Sequence, residues 1–187
     1  MRIGGLILAA GEGRRFGGTK QLAELQGRPL LAHAVEAMLA VPALDPVVVM
    51  LGHDAGRIRD EIDFDAAQTV VCDRWQEGQS ASLRCGVEAL GGVDAAVITL
   101  GDQPFITPQV IAAVLDHLVR GDAVRATYAG APGHPVGLTR RLLDRAGELS
   151  GDVGFRDLLA GEEVRRFEAA HLCDPIDIDT REELAER

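Results

Sequence analysis

Three observations predict an α/β fold whose largely parallel sheet is covered by helices on both faces. Short apolar runs rich in Val, Ile and Leu alternate with stretches whose apolar residues recur at helical spacing. The chain has 187 residues, of which 47% are hydrophobic and 26% charged, enough to bury one substantial core. No linker, internal repeat or low-complexity tract divides it, so residues 1–187 read as a single domain.

The elements follow in order. Residues 3–9 form a buried strand, and 30–39 a helix with apolar residues at helical spacing. Strands are expected at 47–51 ("VVVML") and 69–72 ("TVVC"), then a helix over 80–90 and a β-branched strand at 95–100 ("AAVITL"). A helix over 106–119 starts around Thr107-Pro108, where proline in the first turn sacrifices no helical hydrogen bond. Strands at 124–128 and 135–138, short helices at 140–146 and 154–160, a strand at 164–167 and a closing helix in "REELAER" complete the pattern. In open α/β sheets, ligands sit at the carboxyl ends of strands near a topological switch point. The polar motifs of this chain lie just after strands.

Charge and cysteine usage narrow the function. A formal net charge of -10 argues against a general nucleic-acid binder, because backbone phosphate affinity comes from clustered Lys and Arg. An anionic ligand must be held by a few local cations and backbone N–H groups. Of the 19 basic side chains, Lys20 is the one lysine. The three cysteines, Cys72, Cys85 and Cys173, lack C-x-x-C spacing and read as reduced thiols of a cytoplasmic protein. The first apolar run is too short for a signal sequence, and no apolar stretch approaches a bilayer span, so no membrane role is expected.

The opening "GLILAAGEGRRFGGTKQL" drops from a buried strand into glycines, Arg14, Arg15 and Lys20. It fails the Walker pattern, because Thr19-Lys20 reverses the required order after Gly18. It fails the dinucleotide fingerprint, because Phe16 stands where the third glycine belongs. What remains is a glycine-rich turn able to surround anionic oxygens with N–H groups, with an arginine fork and a lysine point charge beside it. The bland alternative is a tight strand–helix turn with solvated cations. In "LGDQP", Asp102 ends a strand, where a carboxylate can hold Mg²⁺ over phosphates or simply cap a turn. In "DPIDIDT", Asp177 and Asp179 point to one side of an extended segment, and either could be a second metal ligand. Thr180 and Glu183 in the same stretch make a capping box. "EGQSASLRCG" sets Gly78, Gln79, Ser80 and Ser82 at a helix start, where side-chain amides can read a base edge, and "GAPGHPVGL" carries His134 between Gly and Pro.

Together these motifs resemble the nucleotidyltransferase family of molybdenum cofactor biosynthesis, and within it the cytidylyltransferase branch. "LILAAGEGRRFGGTKQL" is similar to the family's first signature, and "EGQSASL", "GDQPFI", "GHPV", "GDVGFRDLL" and "DIDTREEL" follow in the family's order. The resemblance implies a three-layer α/β/α Rossmann-like nucleotidyltransferase fold with a mostly parallel mixed sheet, binding a nucleoside triphosphate and Mg²⁺. By position, Ala9, Ala10, Gly11 and Gly13 would line the nucleotide, with Arg15 and Lys20 on its phosphates and Gln79 and Ser80 near the base. Asp102 and Asp179 would hold the metal, and Arg15, Lys20 and Asp102 would carry the chemistry. Gln103, His134, Pro135 and Arg156 would face the acceptor, with Gly154 beside them. "LAAG" and "GDQP" are the features similar to the cytidylyltransferases.

The reaction so implied moves CMP from CTP to the phosphate of a molybdopterin-type acceptor and releases pyrophosphate, with a transient molybdoenzyme or chaperone receiving the product. Guanylyl transfer, or transfer to a sugar phosphate or another small phosphate acceptor, is the alternative within the class. A non-catalytic nucleotide- or cofactor-binding chaperone is the alternative outside it.

Overall fold

The computed structural model describes residues 1–149, 151 and 154–187, without the side chain of Arg156. Its centre is a seven-stranded sheet in the order β5-β4-β1-β6-β8-β7-β9. The strands are β1 (Ile3–Ala9), β4 (Leu44–Leu51), β5 (Gln68–Val71), β6 (Ala95–Leu100), β7 (Ala123–Tyr128), β8 (Ala131–Thr139) and β9 (Val164–Glu168). A two-stranded hairpin, β2 (Glu24–Leu25) with β3 (Arg28–Pro29), stands apart from it. β1 pairs in parallel with both β4 and β6, as do β4 with β5 and β7 with β9. β8 runs antiparallel to β6 and β7, which makes the sheet mixed.

Side-chain alternation along each strand separates two cores. Ile7, Ala9, Val49 and Val97 face α1 (Leu30–Leu39), α2 (Ala55–Glu61) and α4 (Pro108–Leu118). Leu6, Leu8, Val48, Met50 and Ile98 face α3 (Gln79–Leu90), α5 (Arg140–Arg145) and α6 (Phe155–Leu158). The result is the expected α/β/α layering. α3 packs close enough to β1 that a Cβ at Gly86 would stand 2.7 Å from Leu6. Thr107 caps α4 by accepting from the Val110 N–H, with Pro108 in the first turn, so the helix starts two residues later than the sequence suggests. α7 (Arg181–Ala185) begins with the Thr180/Glu183 capping box.

Three features depart from expectation. α2 starts at Asp54, whose backbone is left-handed (φ 51°), so no ordinary capping pattern marks it. β8 extends from Ala131 to Thr139, so His134 lies within a strand, at the irregularity between the Arg125–Val136 and Thr127–Pro132 pairs with β7. The expectation of reduced thiols is also corrected, because Cys72 and Cys85 are paired as a disulfide while Cys173 is free. Cys72 follows β5 and Cys85 lies on α3, which packing brings to a Cα separation of 5.9 Å, within disulfide reach. Among the described residues no helix is long and apolar enough to cross a membrane.

A third, small cluster joins the two ends of the chain. Phe16, Leu25, Leu30 and the fully buried Ile178 pack together beneath the loop that follows β1. The Ile178 N–H donates to the Asp102 carbonyl at 2.9 Å, which lays the segment before α7 along the end of β6. Ile178→Ala removes the centre of this cluster and is expected to lower unfolding free energy by about 2–5 kcal/mol, read from urea denaturation. A loss well under 1 kcal/mol would mean that the C-terminal segment is not anchored there.

Candidate active site

The chain leaves β1 toward β4 on one side and returns to β6 on the other, so the carboxyl ends of β1 and β6 flank a topological switch point. The glycine-rich loop follows β1, and Gly101 and Asp102 follow β6. The Gly101 N–H donates to the Leu8 carbonyl at 2.9 Å, and a Cβ at Gly101 would stand 2.7 Å from that of Ala9. Gly13 adopts φ +68°, and its carbonyl accepts from the N–H groups of Phe16 and Gly17 at 3.0 Å each, which closes the loop. Buried Gln21 donates from Nε2 to the carbonyls of Ala9 (2.8 Å) and Gly11 (2.9 Å). Thr19 ties the far side of the loop to Asp54, at the start of α2.

The charged centre stands on this frame. Lys20 Nζ donates to Asp102 Oδ2 at 2.6 Å and to Asp179 Oδ1 at 3.0 Å. Arg15 Nη2 donates to the other oxygen, Asp179 Oδ2, at 2.7 Å. The lysine side chain is only 12% exposed, whereas that of Arg15 is 75% exposed. Burial alone would pull the Lys20 ammonium down, but the Asp102 and Asp179 carboxylates outweigh it and raise its pKa above the ordinary lysine value. Asp102 Oδ1 is buried without a hydrogen-bond partner among the described residues. Among the described residues no group of three or more His, Cys, Asp or Glu is arranged around a metal. Two adjacent carboxylates with an unsatisfied oxygen nonetheless suit Mg²⁺, which commonly takes one or two protein carboxylates and completes its shell with phosphate oxygens and water.

Ala9, Gly11, Gly13, Arg15, Lys20, Gln21, Asp102 and Asp179 line one cavity of about 240 Å³. A larger cavity of about 980 Å³ adjoins it across Gly11, Gly13 and Asp102, and there Ala10 and Gln79 stand with Trp75, Gly78 and Ser82. The structure therefore gathers around the two adjoining cavities the nucleotide and metal candidates of the first, third and last motifs, together with Gln79 of the second. Asp177 lines neither cavity. Ser80 is turned away from the larger one, being fully buried with its hydroxyl donating to the Gly151 carbonyl at 2.6 Å, and Ser82, two residues on and so on roughly the opposite side of α3, faces it.

Gln103, His134 and Pro135 of the acceptor candidates lie off these two cavities. Gln103 is buried and donates from Nε2 to the Pro175 carbonyl at 3.1 Å. His134 is buried in β8 beside Pro135, its ring edge-on to Phe155 with centroids 5.5 Å apart. Gly154 lies against Gln79, whose Oε1 a Cβ there would meet. The side chain of Arg156 lies outside the described residues. Trp75 and Gln21 were not singled out by sequence reasoning. The position of Gln21 next to Lys20, in a loop with carbonyls to satisfy, is the signal that could have found it.

A glycine-rich turn and two cations facing two carboxylates at a switch point are chemically suited to charged phosphate groups. The chain belongs to the family described as the MobA-like NTP transferase domain, which matches residues 5–169. It is 33% identical over 166 residues to the bifunctional protein GlmU of Sorangium cellulosum, an alignment covering 84% of this chain and 35% of the relative. The chain thus spans about a third of the length of the GlmU relatives it matches. It is 28% identical over 193 residues to the nicotine blue oxidoreductase of Paenarthrobacter nicotinovorans, covering 97% of this chain and 94% of that one. Among solved structures, Rv0371c from Mycobacterium tuberculosis superposes with a TM-score of 0.90 at 27% identity, covering 100% of this chain and 96% of that one. The same mycobacterial protein is also known in complex with manganese (TM-score 0.84, 26% identity, covering 100% and 97%).

Two expected outcomes follow from this geometry. Gln21→Leu leaves the Ala9 and Gly11 carbonyls without their donor, and urea denaturation should show a loss of about 1–3 kcal/mol. An unchanged midpoint would show that these carbonyls need no side-chain donor. Burial, reinforced by the Arg125 charge, lowers the His134 pKa to about 3. The unfolded chain therefore binds a proton that the folded chain excludes, so stability is full above pH 6.5 and falls as pH drops toward 3. The slope contributed by this one group approaches about 1.4 kcal/mol per pH unit within that window. His134→Asn should flatten the loss between pH 6.5 and 4.5, and an identical pH profile in the variant would rule out a buried neutral histidine.

Proposed function

We propose that this chain is a Mg²⁺-dependent nucleotidyltransferase that transfers CMP from CTP to the phosphate of a molybdopterin-type acceptor and releases pyrophosphate, with residues 1–187 acting as one domain. The observation that carries this reading is the Lys20 ammonium set between Asp102 and Asp179 at the mouth of the β1 loop. Nucleotidyl transfer brings together two anionic partners, so the protein's task is alignment and charge neutralisation rather than covalent catalysis. An acceptor phosphate oxygen attacks the α-phosphorus in line, forming a new P–O bond while the bond to the β-phosphate oxygen breaks. A phosphate nucleophile is already ionised at neutral pH and needs no general base.

Each residue has a role in that step. The N–H groups of the loop and the backbone at Ala9, Ala10 and Gly11 cradle the triphosphate, and Gln21 keeps the loop's carbonyls directed away from it. Lys20 and Arg15 balance the charge of the departing pyrophosphate. Asp102 and Asp179 would hold Mg²⁺, which when bound supplies charge neutralisation between the reacting phosphates. The larger cavity past Trp75 and Gln79 has room for the base and ribose. CTP is preferred over other nucleotides on the resemblance of "LAAG" and "GDQP" to the cytidylyltransferases. A transient molybdoenzyme or chaperone would take up the product.

A second reading rests on the nearly full-length match to an oxidoreductase, a reaction of another class. The discriminating experiment supplies CTP, GTP, ATP and UTP in turn, with Mg²⁺ and molybdenum cofactor as acceptor, and measures pyrophosphate. Release is expected with CTP, and Asp102→Asn should lower it at least about 10²-fold while the protein stays folded. Release with GTP in place of CTP would move the protein to guanylyl transfer. No release with any nucleotide or phosphate acceptor would remove the transferase reading, and oxidation of an added electron donor would then favour the second.

A further inference from the structure

We propose that Lys20 is an exchangeable counter-ion that keeps the carboxylate pair closed to divalent metal until a triphosphate draws it away. The inference rests on the nucleotidyl-transfer reading and concerns the order in which that site fills. Asp102 Oδ2 and Asp179 Oδ1 both accept from Lys20 Nζ, and Asp179 Oδ2 accepts from Arg15. Of these carboxylate oxygens, only Asp102 Oδ1 has no partner among the described residues, and it is buried. The protein's own cations therefore hold three of the four oxygens that a metal could use.

An ammonium and a divalent cation placed on the same oxygens compete for their lone pairs and repel one another at short range. Metal entering alone would have to expel Lys20 and leave its ammonium without a counter-ion in a largely buried position, an unfavourable state. A triphosphate changes the balance. Its oxygens offer Lys20 and Arg15 new partners, and the metal then takes over the carboxylates that the two cations release. The two acids are neutralised before and after the exchange. Lysine suits this part because its flexible stem and three donors let the head group turn from carboxylate to phosphate without backbone movement. Arg15 is already exposed enough to follow.

Metal and nucleotide must then strengthen each other's binding by the same factor. Direct metal–phosphate contact also produces such coupling, so the lysine's share has to be isolated without nucleotide. Lys20→Met removes the charge and keeps the stem. Nucleotide-free K20M is expected to bind Mn²⁺ roughly 5- to 150-fold more tightly than the unaltered chain, the usual span for coupled sites, as read from the electron paramagnetic resonance signal of free Mn²⁺. Arg15→Gln, at an exposed position with little bearing on folding, should shift Mn²⁺ affinity in the same direction by less, and it decides the matter if K20M does not fold. Equal or weaker Mn²⁺ binding by the variants would overturn the placeholder role. If no nucleoside triphosphate binds the unaltered chain, the transferase reading fails, while the nucleotide-free Mn²⁺ comparison still decides whether Lys20 guards the acids.

Discussion

One ammonium shared by two carboxylates organises this molecule. Lys20, Asp102 and Asp179 come from three separate segments, and each needs the others. A partly buried carboxylate without a counter-charge is costly, and a pair of them side by side more so, which makes the lysine a condition for the acids to stand together. The loop after β1 has to deliver Lys20 to the end of β6, and the segment before α7 has to deliver Asp179 to the same point. Much of the architecture around the switch point serves those two deliveries.

Apolar packing accomplishes what the charges alone could not. Ile178 is buried against Phe16, Leu25 and Leu30, and its backbone bonds to Asp102, so Asp179 is brought beside Asp102 by a hydrophobic anchor one residue away. Arg181 reinforces the link, lying over the Phe16 ring with its guanidinium carbon 5.1 Å from the centroid and donating to the Phe16 carbonyl at 3.2 Å. The capping box at Thr180 ends the extended segment and starts α7 without engaging the Asp179 side chain, so the carboxylate can both flank a cap and serve the site. The disulfide between Cys72 and Cys85 spans the stretch that carries Trp75 and Gln79, one wall of the larger cavity.

Relatives with the same fold carry names from different reaction classes, as GlmU and nicotine blue oxidoreductase illustrate. A fold of this kind is a frame on which different sites are built. What inclines this chain toward phosphate chemistry is the particular set of Lys20, Arg15, Asp102 and Asp179 on one cavity wall, not the sheet that carries them.

Much of this was legible in the residues themselves. β1, α1 and β6 lie where their apolar patterns placed them, because buried strands and amphipathic helices write their periodicity into local sequence. The loop glycines, Lys20 and Asp102 could be picked out because they follow strands. The hairpin of β2 and β3 was not visible, since two-residue strands are too short to show alternation. Nor was the disulfide, whose partners meet only when α3 packs beside the end of β5. The choice between Asp177 and Asp179, the inward turn of Ser80 and the buried setting of His134 depend on contacts between distant segments. Residue types and the apolar face of each element are local properties, readable along the chain. The tertiary structure alone decided that Lys20 would stand between Asp102 and Asp179, because that meeting is produced by long-range packing around Ile178 and by no local pattern.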